Sequence, residues 1–278
     1  IVRLLDTDTH NNAAFRTGSE LLPGTRAAEL RAGMFARGGH AEALRQRLAT
    51  LNGCVTAEEC SWKDANEAAK NGHVEAVRVL REHNIHCTSV GSDWAAAYGH
   101  LELLRDLWVH DIRPTPWAAD QAARGGHLEV IRELRTHGVH CTYKGADWAA
   151  MNGHLDIARY LRAHDIHCTP NGANLAAANG HLEVVRDLHA HRTYCSSGAA
   201  DQAARNGHLA VVRLLRVHGI HCTSRSANMA AGNGHLAVVR DLRAHGVHCT
   251  SFGATFATEN GHVAVVEDLE AHGITPRR

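Results

Sequence analysis

A Gly-His pair recurs along the chain at fixed intervals, and this repetition constrains the fold more than any other feature. From Gly72-His73 onward, each pair lies 27 residues after the preceding one. The pairs begin at Gly72, Gly99, Gly126, Gly153, Gly180, Gly207, Gly234 and Gly261. A further pair, Gly39-His40, lies 33 residues before the first of these. A constant period in this range is typical of stacked repeats that share one continuous core.

Each unit contains two segments with helical character. In the unit 224–250, an alanine-rich segment ends at Gly234, a residue that readily adopts the left-handed backbone that closes a helix. The segment after His235 carries apolar residues at helical spacing, which predicts one buried face. These residues are Leu236, Val238, Val239 and Leu242. The sequence therefore predicts an all-α solenoid of nine stacked helix pairs.

The regularity of the period divides the chain into three parts. Residues 1–24 are interpreted as a partial upstream repeat and an irregular connection, because 1–5 resemble 211–215 in a second helix. Residues 25–63 are predicted to form an atypical first repeat and a linker, which accounts for the longer first step. Residues 64–278 form eight regular units, which we expect to be one continuous solenoid.

The charge balance argues against two classes of function. The chain of 278 residues has 29 Lys and Arg and 29 Asp and Glu, so its formal net charge is zero. A general nucleic-acid or membrane-surface binder is expected to carry a basic excess. No apolar run approaches the ~20 residues of a membrane span, and the start has no signal-peptide pattern.

Most of the eight cysteines occupy one position of the repeat. Equivalent residues of stacked repeats lie roughly 8–10 Å apart, whereas a disulfide needs Cα atoms within about 7 Å. We therefore predict free, buried thiols, which indicate a reducing, intracellular location in the cytoplasm or nucleus. Cys54 and Cys60 lie outside this register.

The unit Ala-Ala-x-Asn-Gly-His-Leu-x-Val-Val-x-x-Leu-x-x-x-Gly resembles the ankyrin repeat over residues 25–278. It is six residues shorter than the usual repeat of about 33, and the missing residues correspond to the projecting β-hairpin finger. The resemblance thus implies β-hairpin fingers that are reduced or absent. This short form looks like arrays encoded by large DNA viruses and protists. The family implies a non-enzymatic scaffold or adaptor that binds a protein partner.

The motif His-x-x-His-Cys, as in His137-His140-Cys141, could suggest zinc sites. However, the repeats with Arg113-Pro114 and Thr275-Pro276 lack the motif and keep the register. The resemblance also places this cysteine in the core. We therefore predict no metal and no cofactor.

Catalysis is disfavoured by symmetry, because an active site is one asymmetric group whereas the histidines recur once per repeat. The sequence has no phosphate loop, metalloprotease motif or nucleophile elbow. We predict that the protein is not an enzyme and takes no small-molecule substrate.

In ankyrin repeats, the two residues before Gly-His and the loop before the first helix line the concave binding surface. The resemblance therefore implies a protein-binding set that is varied in chemistry. Its members are Lys70, Tyr98, Arg124, Met151, Asn152, Arg205, Glu259, Tyr143, Lys144, Arg225 and Phe252. Trp94, Trp117 and Trp148 are assigned to one position of the first helices, where we expect packing between repeats.

Two other functions stay open from the sequence. The chain could be a structural subunit docked into a large assembly, such as a ribonucleoprotein or a virion. Alternatively, arginine rows on the convex face could contact nucleic acid. The rows are Arg78, Arg132, Arg159, Arg213 and Arg240, and Arg81, Arg135, Arg162, Arg216 and Arg243. We favour a solvated face in which Asp106, Glu133, Asp187 and Asp241 neutralise these charges.

Overall fold

The computed structural model describes residues 31–51 and 55–277. Within these residues the chain forms 18 helices and no β-strand. The predicted nine helix pairs with β-hairpin fingers reduced or absent are thus confirmed for the described part, which has no such finger. The predicted partial repeat at 1–24 and the residue Cys54 lie outside the described residues.

The helices alternate between a first and a second helix of each repeat. The first helices are α1 Ala32–Arg37, α3 Trp62–Lys70, α5 Ser89–Ala97, α7 Pro116–Gly125, α9 Tyr143–Met151, α11 Pro170–Ala178, α13 Ser197–Arg205, α15 Ser224–Gly232 and α17 Ser251–Glu259. The second helices are α2 Ala41–Thr50, α4 Val74–Glu82, α6 Leu101–Val109, α8 Leu128–Thr136, α10 Leu155–Arg162, α12 Leu182–Ala190, α14 Leu209–Val217, α16 Leu236–Ala244 and α18 Val263–Glu270.

Each first helix packs on the first helices of the neighbouring repeats, and the second helices form a second layer against them. The first helices contribute small side chains to the core, such as the fully buried Ala149 and Ala150. The second helices contribute larger ones, such as Ile157 and Leu161. Alanine on one layer lets the backbones approach closely, and the branched side chains of the other layer fill the remaining space.

On seven of the nine first helices described, a carboxylate or amide binds the start of the next first helix. The Oδ1 atom of Asp147 accepts a hydrogen bond of 2.7 Å from the backbone N–H of Thr169, and its Oδ2 atom accepts one from the Thr169 hydroxyl. The same bond to the backbone N–H recurs in seven consecutive repeats at 2.6–2.9 Å. The acceptors are Asn66, Asp93, Asp120, Asp147, Asn174, Asp201 and Asn228. This series, the Asp/Asn ladder, joins each repeat to the next.

The Gly-His pairs form a second series of contacts between repeats. Each histidine precedes its second helix, and its side chain makes no capping hydrogen bond there, as at His154. The ring reaches back to the preceding repeat, where Nε2 of His100 lies 2.8 Å from the Lys70 carbonyl and Nε2 of His154 lies 3.1 Å from the Arg124 carbonyl. Because a carbonyl only accepts, Nε2 carries the proton. The ring therefore satisfies a carbonyl at the end of a first helix.

Acid is expected to weaken this histidine series. Burial, together with the neighbouring rings, lowers the pKa of His73, His127, His181 and His235 below the ordinary 6.5. The unfolded chain therefore binds protons first as the pH falls. The stabilisation is complete above pH 6.5 and is lost as the pH drops through the lowered pKa values. Thermal unfolding at pH 7.5 and pH 5 should show a lower Tm at pH 5, by about 2–4 °C for each kcal/mol lost.

The aspartates of the second helices do not interfere with this measurement, because their pKa lies below the ordinary 3.8. The variant His181→Gln keeps an N–H donor without a titrating ring, so its Tm should depend less on pH. Equal Tm values for the wild type at the two pH values would contradict the role assigned to the histidines.

Eight of the ten row arginines are neutralised by acids of the next repeat, as predicted for the rows. Asp187 binds Arg159 and Arg162, with the Arg159 Nε to Asp187 Oδ1 distance at 2.8 Å. Burial alone would raise the pKa of Asp187, but the hydrogen bonds from the two arginines outweigh it and lower the pKa. Asp106, Asp241 and Asp268 each bind two arginines in the same way, and Glu133 binds Arg105.

The cysteines of the repeat are free thiols, as predicted, and most are buried. The Sγ atom of Cys141 donates to the Ala119 carbonyl at 3.2 Å, and burial raises the pKa of Cys141 to about 12. Such a thiol stays protonated at neutral pH and acts as a small apolar side chain.

The stretch 189–196 departs from the other repeats. Arg192 adopts a φ of 65° where other repeats have glycine, asparagine or aspartate. His189 takes the place of an arginine, is 4% exposed and accepts a hydrogen bond from the Cys195 N–H. The register of the helices continues through this stretch.

Candidate functional site

Each first helix leaves one face uncovered. Its exposed or half-buried side chains lie ten, nine, five, two and one residues before the glycine of the Gly-His pair, whereas the positions between them are mostly buried. The spacing from nine to five to two corresponds to one side of an α-helix. Since the first helices pack side by side, these positions form a continuous surface across the repeats. We call it the first-helix face.

The residues predicted to bind a partner all lie on this face, and none is fully buried. Lys144, Arg225 and Phe252 lie nine residues before their glycine, and Tyr143 lies ten before. Five members lie two residues before their glycine, namely Lys70, Arg124, Met151, Arg205 and Glu259. Tyr98 and Asn152 lie directly before their glycine. Tyr98, Tyr143 and Phe252 are each about half exposed. The structure thus places the set on one surface, and its role in binding stays a prediction.

Two members of this set also serve the packing of repeats. Nδ2 of Asn152 donates to the Arg124 carbonyl at 2.9 Å, and the equivalent asparagines make the same bond in later repeats. Lys70 contacts Glu67 at 3.3 Å, and its ammonium lies 5.6 Å from the centre of the Trp94 ring. The side chains of Asn152 and Lys70 therefore already have partners within the chain.

Sequence reasoning missed the central row of the face. This row lies five residues before each glycine, midway along the helix, where the side chains are exposed or half-buried. It consists of Glu67, Trp94, Gln121, Trp148, Leu175, Gln202, Met229 and Phe256. The available signal was variability, since this position differs in chemistry between repeats as much as the predicted positions do.

The tryptophans do not share one position, so that assignment was wrong. Trp94 and Trp148 lie five residues before their glycine, whereas Trp117 lies nine before. The rings of Trp94 and Trp117 meet edge to face at 5.4 Å across two repeats, so packing between repeats is correct for this pair. Trp117 is nevertheless 42% exposed, and the ring of the half-exposed Tyr98 lies 5.8 Å from that of Trp94. The three rings form an aromatic patch on the first-helix face.

The described residues contain no group of three or more His, Cys, Asp or Glu arranged to hold a metal ion. In the repeat of Cys141, the thiol points to a core carbonyl while Nδ1 of His137 lies 3.0 Å from the Glu133 carbonyl of its own helix. In this motif the cysteine therefore packs in the core, while the first histidine contacts a carbonyl at the end of its own helix.

The comparison with protein families agrees with the repeat geometry. The family model described as ankyrin repeats (3 copies) matches residues 148–226. Residues 148–226 are thus similar to ankyrin repeats. The match spans repeats with the Asp/Asn ladder, the histidine series and the arginine–aspartate pairs. The repeats of this chain have helices in both positions and no strand between them within the described residues.

Solved structures of helical repeat proteins resemble the chain at low identity. The ankyrin repeat domain of human ASB11 is 18% identical with a TM-score of 0.35, covering 68% of this chain and 83% of that one. The pentatricopeptide repeat protein PPR10, solved with an 18-nt psaJ RNA element, is 12% identical with a TM-score of 0.47. That match covers 88% of this chain and 44% of PPR10, so the chain spans under half of its length. PPR10 from maize is 14% identical with a TM-score of 0.39, covering 100% and 48% of the two chains. These likenesses carry no statement about function.

No curated protein sequence matches the chain significantly. Within the described residues, no helix has the length and apolar character needed to cross a membrane.

Proposed function

We propose that the chain is a non-enzymatic interaction scaffold that binds a protein partner through the first-helix face. The observation that supports this most is the contrast between the two layers. On the second helices, eight of the ten predicted row arginines bind an aspartate of the next repeat. On the first-helix face, side chains vary from repeat to repeat and include exposed aromatic rings. Aromatic residues and arginine are enriched in the cores of protein interfaces.

The same contrast disfavours the nucleic-acid alternative on the arginine rows. An arginine held by an aspartate must give up that pair to bind a phosphate. Only Arg132 and Arg135 of the rows lack an aspartate partner among the described residues, because Tyr160 and not an acid stands opposite them. Arg132 is itself paired with Glu129 of its own helix, so the rows leave too few free arginines for the many phosphate contacts of a nucleic-acid binder.

Selection of peptides from a random display library against the full chain tests the proposed surface. We expect the selected peptides to bind at least tenfold more weakly to a variant with Trp117→Ala, Tyr143→Ala, Gln202→Ala and Phe252→Ala, because exposed aromatic side chains dominate binding energy. A matched control removes exposed apolar side chains from the second helices, with Val109→Ala and Val217→Ala.

Equal binding to the face variant and the wild type would contradict the proposal, and so would a larger loss in the valine control. Circular dichroism of both variants checks that the helices are intact. The alternative of a structural subunit predicts that no selected peptide prefers the first-helix face.

A further inference from the structure

We infer that the first-helix face binds an acidic, extended peptide segment across helices α7 to α15. This inference rests on the proposed function, because it names the class of partner for the same face. The observations that carry it are the placement of unpaired cations, the absence of carboxylates between them and the small side chains at the centre.

Four cations stand on this part of the face at exposed positions, namely Arg124, Lys144, Arg205 and Arg225. None of them forms an ion pair with a carboxylate among the described residues. The arginines of the second helices in the same repeats behave differently, since Arg159 and Arg213 bind aspartates at 2.8 and 2.7 Å. The chain thus has zero net charge but uncompensated positive charge on one face.

The acids of these first helices are directed elsewhere. Asp120, Asp147 and Asp201 lie six residues before their glycine and accept hydrogen bonds from the next repeat. At the five positions that define the first-helix face, no carboxylate occurs between Glu67 and Glu259. An acidic partner would therefore meet attraction from the four cations and little repulsion from this surface.

The centre of the region separates the cations into two pairs. Helix α11 contributes the half-buried Leu175 and Ala178 to this centre. The neighbouring helices α9 and α13 contribute Met151 and Gly198. These side chains are apolar or small, so a peptide backbone can approach the helices and place an apolar side chain there. Adjacent packed helices lie 8–10 Å apart, so the four steps from α7 to α15 span roughly 35 Å. An extended peptide of about ten residues covers this distance.

A single-stranded nucleic acid fits this surface less well. Such ligands need cations that follow the backbone and aromatic rings on which successive bases stack. Helix α11 offers neither a cation nor an aromatic ring on this face, and it lies at the centre of the region. A peptide with acidic residues at both ends and an apolar centre matches this surface, where two cations stand on each side of an apolar centre.

Fluorescence anisotropy with the full chain and defined probes tests this inference. The acidic probe is a fluorescein-labelled peptide of about ten residues with glutamates at both ends and Leu-Phe-Leu in the centre. The comparison probes are the same peptide with glutamine for glutamate, the same peptide with lysine, and an oligouridine RNA. We expect the glutamate peptide to bind about tenfold more tightly than the glutamine peptide at low salt. This preference should shrink in high salt, because exposed charges are screened.

Two matched variants test which arginines contribute to binding of the acidic peptide. Replacing Arg124, Arg205 and Arg225 by alanine should weaken binding of the glutamate peptide about tenfold. Replacing Arg113, Arg132 and Arg186 by alanine removes the same charge from residues that are 52–69% exposed and form ion pairs only within their own repeats. This control should leave the affinity within about twofold.

Equal binding of the glutamate and glutamine peptides would overturn the inference, as would equal losses in the two arginine variants. Tighter binding of the RNA through Arg124, Arg205 and Arg225 would also overturn it. The proposed function is tested separately, by whether the peptides selected from the display library bind more weakly to the face variant than to the valine control.

Discussion

Substituting Gly153 by alanine is expected to destabilise the chain by about 3–5 kcal/mol, far more than the same substitution at Gly138. Both glycines adopt left-handed backbone, with φ values of 81° and 79°. A Cβ atom at Gly153 would lie 2.5 Å from Nδ1 of His181, whereas a Cβ at Gly138 would have nothing within 4 Å. Gly138→Ala thus costs only the backbone strain, about 1–2 kcal/mol. Gly153→Ala adds the displacement of a packed ring between two repeats.

Urea and thermal unfolding of both variants measure this difference. Because repeat arrays can lose cooperativity, hydrogen exchange should also show that the loss of protection centres on the repeats around Gly153 and His181. In a background with His181→Ala, the overlap disappears, so the cost of Gly153→Ala should fall to that of Gly138→Ala. Similar destabilisation by the two single glycine variants would show that the ring contact is unimportant.

Replacing Asp147 by alanine is expected to cost about 2–3 kcal/mol. Asp147 is 7% exposed and accepts hydrogen bonds from the backbone and hydroxyl of Thr169 and from the thiol of Cys168. Its removal leaves the half-buried Thr169 at the start of helix α11 without this acceptor, because the carboxylate belongs to the preceding repeat. Free energies of unfolding from urea titration provide the measurement.

Asp147→Asn is the matched control, since asparagine already occupies this position at Asn66, Asn174 and Asn228. In those repeats the amide oxygen accepts the same backbone hydrogen bond at 2.8–2.9 Å. We therefore expect Asp147→Asn to cost less than about 1 kcal/mol. A cost equal to that of alanine would mean that the negative charge, and not the hydrogen bond, stabilises the ladder.

The sequence was sufficient to predict the helices and their ends. The period of Gly-His located both helices of each repeat. At the end of the second helices, Asn84, Asp111 and Asp165 stand where other repeats have glycine, and the structure has left-handed φ values of 59–63° there. This success has a physical basis, because helix ends depend on local backbone preferences that single residues reveal. Pairing of the arginine rows with acids was also accessible, since both recur with the period.

Contacts between repeats were harder to predict. The sequence shows that Asp147 and Thr169 each recur in successive units, but not that one binds the other, because periodicity alone does not orient one helix against its neighbour. The same limitation explains the missed central row with Gln121 and Leu175. The family resemblance assigned the residues next to the Gly-His pair to the binding surface. The position of the central row depends on which side of the first helix stays uncovered, and this is determined by packing against the neighbouring helices.

The range of the stabilising contacts has a consequence for how such a chain can change over generations. The Asp/Asn ladder, the histidine series and the arginine–aspartate pairs all join residues 22 to 30 positions apart, between one repeat and the next. Recombination that gains or loses a whole unit in phase therefore leaves every such bond able to form with the new neighbour. The length of the array, and the number of distinct surface patches it displays, can vary in single steps without redesign of the interior.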